Sequence, residues 1–349
     1  MASLIIFVCI LDTYVILVKK EEKLLRQKIL KEENTVHKAR KITVIVVLVL
    51  AVLLTAGSFG LGLVIVEAST QLVTNEQTME MYEGAWALED FDADAFREKY
   101  SIEEKSMPST FQDHNLPFDV ITAPGNENVV VMAHGLMGNR LTNYPTAQIF
   151  LENGYNVISY DQRSSGDNYA QRTTFGYWEK YDLIDCIRYA RETYPEAKIA
   201  VWGESLGGAT ALLAMAYEDV QQDVSALILD CPASDMAYMI ETSMAQMGIP
   251  LPMGYLLACG DFANGVKLDF HYDDVNGLQA AERITVPTMV FGSRGDEITP
   301  DFMVREVYEH LASETKDLYV AESSAHIEIR NDERDTYVER LLALLEQAE

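Results

Sequence analysis

Residues 198–208 read KIAVWGESLGG and combine an apolar run with a serine between two glycines. The run has the length of a buried strand, and the residues after it have helical periodicity. Ser205 would therefore lie in a tight turn from strand to helix, where Gly203 and Gly207 prevent a collision of side chains. Such a turn lifts a hydroxyl clear of the sheet, so the pattern predicts that Ser205 is a nucleophile.

Short apolar runs and amphipathic stretches alternate on both sides of this turn, which predicts an α/β fold with a mostly parallel, doubly wound sheet. One interval, at about residues 231–283, is too long for a plain crossover between neighbouring strands. The other apolar runs lie at residues 129–132, 157–160, 226–229, 288–291 and 318–320.

A serine nucleophile needs a base and an acid that orients the base, and in this fold class both follow the serine along the chain. Asp296 comes just after the run 288–291, and His326 comes just after the run 318–320. The carboxyl ends of parallel strands meet at one edge of a sheet, so we expect Asp296 and His326 to meet Ser205 there. Weaker candidates are Glu297 and Asp230 for the acid, and His271 and His310 for the base.

The tetrahedral intermediate of acyl transfer also needs two hydrogen-bond donors for its oxyanion. The backbone N–H of Leu206, at the start of the helix, is the first expected donor. The backbone N–H of Leu136, in the glycine-rich loop after the run 129–132, is the second. His134 in the same loop is predicted to be a structural residue, because the nucleophile already has a base at the expected position.

Five ordered motifs now make a resemblance clear: the chain resembles the α/β-hydrolase superfamily over about residues 111–347. The closest likeness is to its serine-aminopeptidase-type and monoacylglycerol-lipase-type branch, including membrane-anchored bacterial members. The resemblance implies Ser205, Asp296 and His326 as a catalytic triad, and it implies that residues 231–283 form a cap over the pocket. The motifs are HG at 134–135, YDQRSSG at 160–166, GESLGG at 203–208, GSRGDEITP at 292–300 and AH at 325–326.

The function expected from these residues is cleavage of a carboxylic ester, with a small-molecule or lipid-like ester as substrate. A serine aminopeptidase or amidase could use the same triad, and a non-catalytic binding protein is a third reading. No cofactor is expected, since the triad needs none. No metal is expected either, because the 4 cysteines and 6 histidines show no metal-binding spacing. A net charge of −27 argues against nucleic acid as a partner.

The charge is unevenly spread, and the N-terminal part is predicted to enter a membrane. Residues 42–66 form 25 consecutive uncharged residues, which as a helix of about 37 Å would cross a hydrocarbon core of about 30 Å. Residues 1–18 are a possible first membrane segment, shorter and interrupted by Asp12.

The sidedness of the chain follows from the segment between these two runs. Residues 19–41 carry nine Lys and Arg residues and are predicted to form a basic cytoplasmic loop. Residues 67–349, with a net charge of −31, are therefore expected on the extracytoplasmic side. In that part we expect a stalk with lead-in helices at 67–110 and the hydrolase domain at 111–349.

Overall fold

A computed structural model of the chain describes residues 2–112 and 114–348, with side chains described from residue 15 onward. The chain divides into two units, Met1–Gly60 and Leu61–Glu349, and each is described by itself. Helix α1 (Ala2–Thr70) forms the described part of the first unit and continues into the second. The side chain of Asp12, which interrupts the first apolar run, lies outside the described residues.

Among the described residues, α1 is the one helix long and apolar enough to cross a membrane. It differs from the prediction at residues 19–41, which are helical and do not form a loop. The Lys, Arg, Glu, Gln and Leu residues of this segment favour helix, and Arg26 pairs with Glu22 one turn away. Residues 2–18, in the possible first membrane segment, are part of the same helix, and their place in the membrane stays a prediction.

The second unit contains the strands and the remaining helices. The strands are β1 (Ser101–Pro108), β2 (Asn115–Thr122), β3 (Asn128–Ala133), β4 (Tyr155–Tyr160), β5 (Ile199–Glu204), β6 (Ala226–Asp230), β7 (Thr288–Ser293) and β8 (Lys316–Ala321). The helices are α2 (Asn75–Leu88), α3 (Ala93–Lys99), α4 (Tyr144–Glu152), α5 (Glu179–Thr193), α6 (Leu206–Met215), α7 (Glu218–Gln221), α8 (Met236–Gln246), α9 (Met253–Leu268), α10 (Gly277–Ala281), α11 (Asp301–His310), α12 (Ile329–Asp332) and α13 (Arg334–Gln347).

The strands form one sheet in the order β1-β2-β4-β3-β5-β6-β7-β8. The pairs β1–β2 and β2–β4 are antiparallel, and all the other neighbours are parallel. The predicted α/β-hydrolase fold with a mostly parallel sheet is confirmed. Strands β5, β6, β7 and β8 lie side by side, so the loops that follow them open at the same edge.

Helices cover both faces of this sheet, because its central strands are apolar on both sides. On one face α4 and α13 pack against a core that contains Trp202, Phe291 and Tyr337. On the other face α5 and α6 pack against β3 and β5, and α11 packs against β7. The central strands β3 to β7 are thus held from both sides, which fixes the edge from which the functional loops emerge.

Residues 67–110 contain two packed helices where lead-in helices are predicted, and in place of a stalk they also contain β1, the first strand of the sheet. Trp86 of α2 and Phe96 of α3 are buried in the core with Tyr144, and Trp86 Nε1 donates to Leu141 O at 2.8 Å. Strand β1 forms at the edge of the sheet, where its charged residues stay exposed and no apolar alternation is needed.

The long interval between β6 and β7 is mostly helical, as the cap interpretation requires. It contains α8, α9 and α10, with α8 in contact with α9. Met236, Ile240 and Met244 of α8 are buried. Tyr238 packs its ring edge-on against Phe302 at the start of α11, with centroids 5.3 Å apart.

Candidate active site

The turn between β5 and α6 has the strained geometry that the sequence predicts for a nucleophile. Ser205 has φ +50° and ψ −113°, in the left-handed region that L-residues rarely adopt. A Cβ at position 207 would lie 2.0 Å from Ala133 O, so only glycine fits there. The Ser205 N–H donates to Asp230 O at 2.8 Å, which holds the turn against β6.

The three residues predicted as a triad come together at the carboxyl edge of the sheet. His326 Nε2 lies 2.9 Å from Ser205 Oγ, and His326 Nδ1 lies 2.7 Å from Asp296 Oδ2. Asp296 follows β7 and His326 follows β8, so neighbouring strands present the acid and the base. One imidazole ring thus joins a hydroxyl to a carboxylate, which is the arrangement required for activating a serine.

Thr299 is part of this arrangement, although no role is predicted for it from the sequence. Its hydroxyl lies 2.8 Å from Asp296 Oδ2, 3.1 Å from His326 Nδ1 and 3.2 Å from Cys231 O. The Thr299 N–H also donates to Asp296 Oδ1 at 2.8 Å. Thr299 therefore fixes both oxygens of the acid. The sequence signal for this role is the position of Thr299, three residues after Asp296 in the motif at 292–300.

The electrostatics of Asp296 suit an acid that stays ionised beside a histidine. Burial alone would raise the pKa of this carboxyl. The hydrogen bonds and charge of His326, together with the Thr299 hydrogen bonds, outweigh burial and hold the pKa of Asp296 below its ordinary value. An ionised Asp296 accepts a hydrogen bond from Nδ1–H, which leaves Nε2 of the neutral ring as the acceptor that faces Ser205.

The two segments that carry the expected oxyanion donors both come close to Ser205. Leu206 is the first residue of α6, where backbone N–H groups have no partner within the helix. The loop after β3 approaches Ser205 closely, since a Cβ at Gly135 would lie 3.5 Å from Ser205 Cβ. Gly135 N–H donates to Glu204 Oε1 at 3.2 Å, which ties this loop to the residue before the nucleophile. Leu136 follows directly in the chain, and its role as second donor stays a prediction.

His134 is held by the backbone and makes contacts that suit a structural residue. Its Nδ1 lies 2.7 Å from Gly135 O, and its Nε2 accepts from the Gln162 N–H at 3.0 Å. Burial lowers the pKa of His134 to about 4. Of the other histidines considered as bases, His271 lies 3.0 Å from Asp261, and His310 lies 2.8 Å from Glu306 O on its own helix.

The alternative acids are engaged elsewhere in the structure. Asp230 Oδ2 accepts from the Tyr337 hydroxyl at 3.1 Å, on the core side of the sheet edge. Burial raises the pKa of Asp230 to about 6, which opposes a role as a permanently ionised partner of histidine. Glu297 is exposed to solvent beside Asp296.

A buried ionic cluster under the serine was not expected from the sequence. Arg330 Nη1 donates to Glu204 Oε2 at 2.7 Å, and Arg330 Nη2 donates to Glu89 Oε1 at 3.1 Å. Glu204 in turn accepts from the Gly135 N–H. The cluster thus connects the segment after α2, the helix α12 after the histidine loop, and the loop of the expected oxyanion donor. Paired charges with such hydrogen bonds can stay buried, whereas a lone one would be costly.

One group of possible metal ligands occurs at the site, and its chemistry does not suit a metal ion. The ligand atoms of Cys231, Asp296 and His326 lie within 4.8 Å of one another. Burial, followed by the charges of Asp230 and Asp296, raises the pKa of the Cys231 thiol well above its ordinary value. A protonated thiol is a poor ligand, and the other two residues are already paired with each other.

Comparison with known families agrees with the fold. The family model for the alpha/beta hydrolase fold matches residues 128–257, a region that includes β3, the Ser205 turn and the first part of the segment between β6 and β7. These residues match that family, and the chain has the α/β-hydrolase fold. Asp296 and His326 lie outside the matched residues, so their assignment depends on the geometry given above.

Individual relatives of the chain are distant. It is 28% identical over 215 residues to the uncharacterized protein YqkD of Bacillus subtilis (strain 168), covering 60% of this chain and 68% of YqkD. It is 24% identical over 274 residues to a proline iminopeptidase of Saccharolobus solfataricus, covering 64% of this chain and 86% of that protein. The solved structure of the Pyrococcus furiosus esterase Pf2001 is similar with a TM-score of 0.59 and 18% identity, covering 74% of this chain and 94% of the esterase. At this identity the likeness to the esterase shows the fold alone.

Proposed function

We propose that this chain is a membrane-anchored serine hydrolase that cleaves carboxylic esters. The observation that carries the proposal is the pair of hydrogen bonds from one ring, His326, to Ser205 and Asp296. The strained turn at Ser205 supports it as well, because backbone strain of this kind is retained where a nucleophile must be presented.

The reaction follows from these contacts. Ser205 Oγ attacks the carbonyl carbon of the ester while its proton passes to His326 Nε2, and Asp296 stabilises the imidazolium that forms. The N–H groups of Leu136 and Leu206 donate to the oxyanion. Collapse of the intermediate releases the alcohol, which takes the proton from His326, and leaves an acyl group on Ser205. A water molecule that gives its proton to His326 then attacks the acyl-enzyme and releases the acid.

Apolar side chains near the triad favour a substrate with an apolar acyl group. Leu136 and Met137, on the loop beside Ser205, are 38% and 41% exposed. Ile298, two residues after Asp296, and Phe302, against the cap residue Tyr238, are exposed as well. Each methylene buried against such a surface contributes about 0.8 kcal/mol, or nearly a fourfold gain in affinity.

A serine aminopeptidase or amidase is the second candidate, and the relationship to a proline iminopeptidase favours considering it. Capture of a free α-amine would need an acidic group in the cap. Asp261 of α9 is already 3.0 Å from His271 and accepts from the Tyr272 N–H at 2.7 Å. Asp261 is thus engaged, whereas Glu241, Asp269 and Asp273 of the same segment are exposed carboxylates, so the assay below decides between the two candidates. A binding protein without activity would show no reactive serine.

The substrate class is tested by acyl esters of graded length, assayed beside alanyl and prolyl anilides with the full chain in detergent. We expect kcat/KM to rise from acetyl to medium-chain esters, because the cap and the triad rim are apolar. Met239→Glu, at a half-buried position of the cap, should flatten that rise. Met81→Glu, at an exposed methionine of α2, is the matched control and should leave it unchanged.

Two outcomes would contradict the ester assignment. One is a steady decline of kcat/KM beyond acetyl, and the other is faster cleavage of an anilide than of any ester. Either would move the assignment to the peptidase, with the same triad.

We further propose that residues 42–66 anchor the chain and that residues 67–349 lie on the extracytoplasmic side, because nine Lys and Arg residues lie at 19–41. Cys186, Cys231 and Cys259 are buried, so labelling requires an introduced thiol. In intact cells and a Cys9→Ser background, an impermeant maleimide should label Leu88→Cys, which replaces a side chain that is 85% exposed.

The matched control for this topology experiment is Lys28→Cys in the basic segment, which should be labelled only after the membrane is breached. The reverse pattern, with position 28 labelled and position 88 protected in intact cells, would contradict the proposed sidedness. Labelling of both in intact cells would contradict the anchor.

A further inference from the structure

The cap contains an uncharged stretch that is unusual in so acidic a chain. Residues 242–260, between Glu241 and Asp261, include no Asp, Glu, Lys or Arg, although 23% of the chain is charged. Apolar side chains of this stretch are exposed: Met247 at 67%, Ile249 at 37% and Leu251 at 43%. They follow one another in the connection between α8 and α9 and extend into Tyr255. A contiguous exposed apolar surface of this kind marks an interaction site.

The position of this stretch is set by the end of the apolar segment. Residues 61–66, the last of the proposed membrane span, pack on α9 inside the second unit. A Cβ at Gly62 would lie 2.0 Å from Cys259 O and 2.8 Å from Ala263 Cβ, and a Cβ at Gly260 would lie 2.9 Å from Ile65 Cγ2. The two helices are therefore in close contact where glycine removes the side chain. Helix α9 therefore packs beside residues 61–66, the last residues of the proposed span.

Both helices change from uncharged to charged residues past this contact. In α1 the first charge after the apolar segment is Glu67, and in α9 the first charge after the uncharged stretch is Asp261. Glu67 pairs with Lys267 of α9 and with Arg172, at 3.1 Å, which joins the charged sides of the two helices. The uncharged part of the cap therefore lies on the side of the contact where the span is apolar.

We propose that residues 242–260 of the cap insert their exposed apolar side chains into the bilayer that the anchor crosses. The occupant of this surface is lipid, because the surface adjoins the apolar end of the span and carries no basic group that would select an anionic partner. A domain with a net charge of −31 gains nothing from anionic headgroups, so the insertion depends on apolar contact. The proposal rests on the anchor proposed above and not on catalysis.

Lipid contact is measured on the full chain in phosphatidylcholine nanodiscs, in a Cys9→Ser background. An environment-sensitive fluorophore is attached at Ile249→Cys, at Leu251→Cys, and at Glu196→Cys, an exposed control position between α5 and β5. Lipids that carry a quencher on the acyl chain should quench the label at 249 and 251 at least threefold more than at 196. Equal quenching at all three positions would overturn the proposal.

Three further readouts keep the outcomes distinct. A label at Leu50→Cys reports the anchor, so quenching at 50 with none at 249 overturns the insertion and leaves the anchor intact. Energy transfer between copies at 249, without quenching by lipid, would assign the surface to a second copy of the chain and overturn the proposal. The Ser205→Ala chain should give the same quenching as the unaltered chain, which separates this result from the proposed activity.

Insertion also predicts how the cap affects substrate supply. Ile249→Glu with Leu251→Glu should lower kcat/KM at least tenfold for a long-chain ester dissolved in the nanodisc, mainly through KM. The same variant should leave hydrolysis of a water-soluble acetyl ester unchanged. An equal loss with both substrates, or no loss with either, would contradict delivery of substrate from the bilayer.

Discussion

Replacement of Ser205 by alanine is expected to lower kcat for ester hydrolysis by about 10⁴-fold or more. Ser205 Oγ, which lies 2.9 Å from His326 Nε2, is the proposed nucleophile. The alanine variant therefore lacks the atom that attacks the substrate. The fold should remain, because the variant keeps the Ser205 N–H bond to Asp230 O and removes only one side-chain oxygen. Steady-state rates and the thermal unfolding midpoint are to be measured on the same preparation.

His326→Ala serves as the companion variant, since it removes the base and leaves the nucleophile. It should lose activity to a similar extent, because triad members act as a unit and their losses do not add. Single-turnover formation of an acyl-enzyme in Ser205→Ala would refute the assignment of the nucleophile.

Asp296→Asn is expected to lower kcat by about 10⁴-fold while the protein stays folded. The amide can donate to His326 Nδ1, which would leave the proton on Nε2. A protonated Nε2 cannot accept the proton of the Ser205 hydroxyl. Because the pKa of Asp296 lies below its ordinary value, the loss should persist across the neutral range, where the native carboxyl is ionised. Rates from pH 6 to 9 are the measurement.

Asp230→Asn is the matched control, since Asp230 is also buried and is the last residue of β6, at the carboxyl edge of the sheet. Burial raises the pKa of Asp230 to about 6, so an uncharged side chain is compatible with its site. Its carboxyl contacts the Tyr337 hydroxyl and not His326, so activity should be largely retained. A large loss in Asp230→Asn with little loss in Asp296→Asn would show that the acid is misassigned.

The parts of the site that the sequence could predict are those with a local pattern. Each of the six apolar runs in the sequence forms a strand. Five of them form β3 to β7, where a strand buried on both faces is apolar throughout, and the sixth forms the half-buried edge strand β8. Ser205, Asp296 and His326 each follow such a strand directly. Parallel pairing then brings the ends of β5, β7 and β8 to one edge, whatever the distance along the chain.

The parts that the sequence could not predict depend on contacts between distant residues. Strand β2 contains Pro117 and Asp119 and has no apolar run, yet Asp119 is buried because Arg140 and Tyr144 bind its carboxylate. Arg330 is 126 residues from Glu204 in the chain, so no local pattern signals their pair. Thr299 is a similar case, because a hydroxyl gains its role only when His326 and Asp296 are both next to it.

The helical state of residues 19–41 differs from the prediction for a different reason. The positive charge of this segment indicates sidedness, which says nothing about secondary structure. The same residues have high helix propensity and join two apolar runs that are themselves helical.

The most direct test of the central claim is the mass of the chain after reaction with a fluorophosphonate probe. The full chain in detergent should gain the mass of one phosphonyl group, and fragmentation should locate the adduct at Ser205. Ser205→Ala should gain none, and His326→Ala should react far more slowly because the hydroxyl has lost its base. An adduct on another residue, or an unaltered mass in the folded chain, would contradict the assignment of this protein as a serine hydrolase.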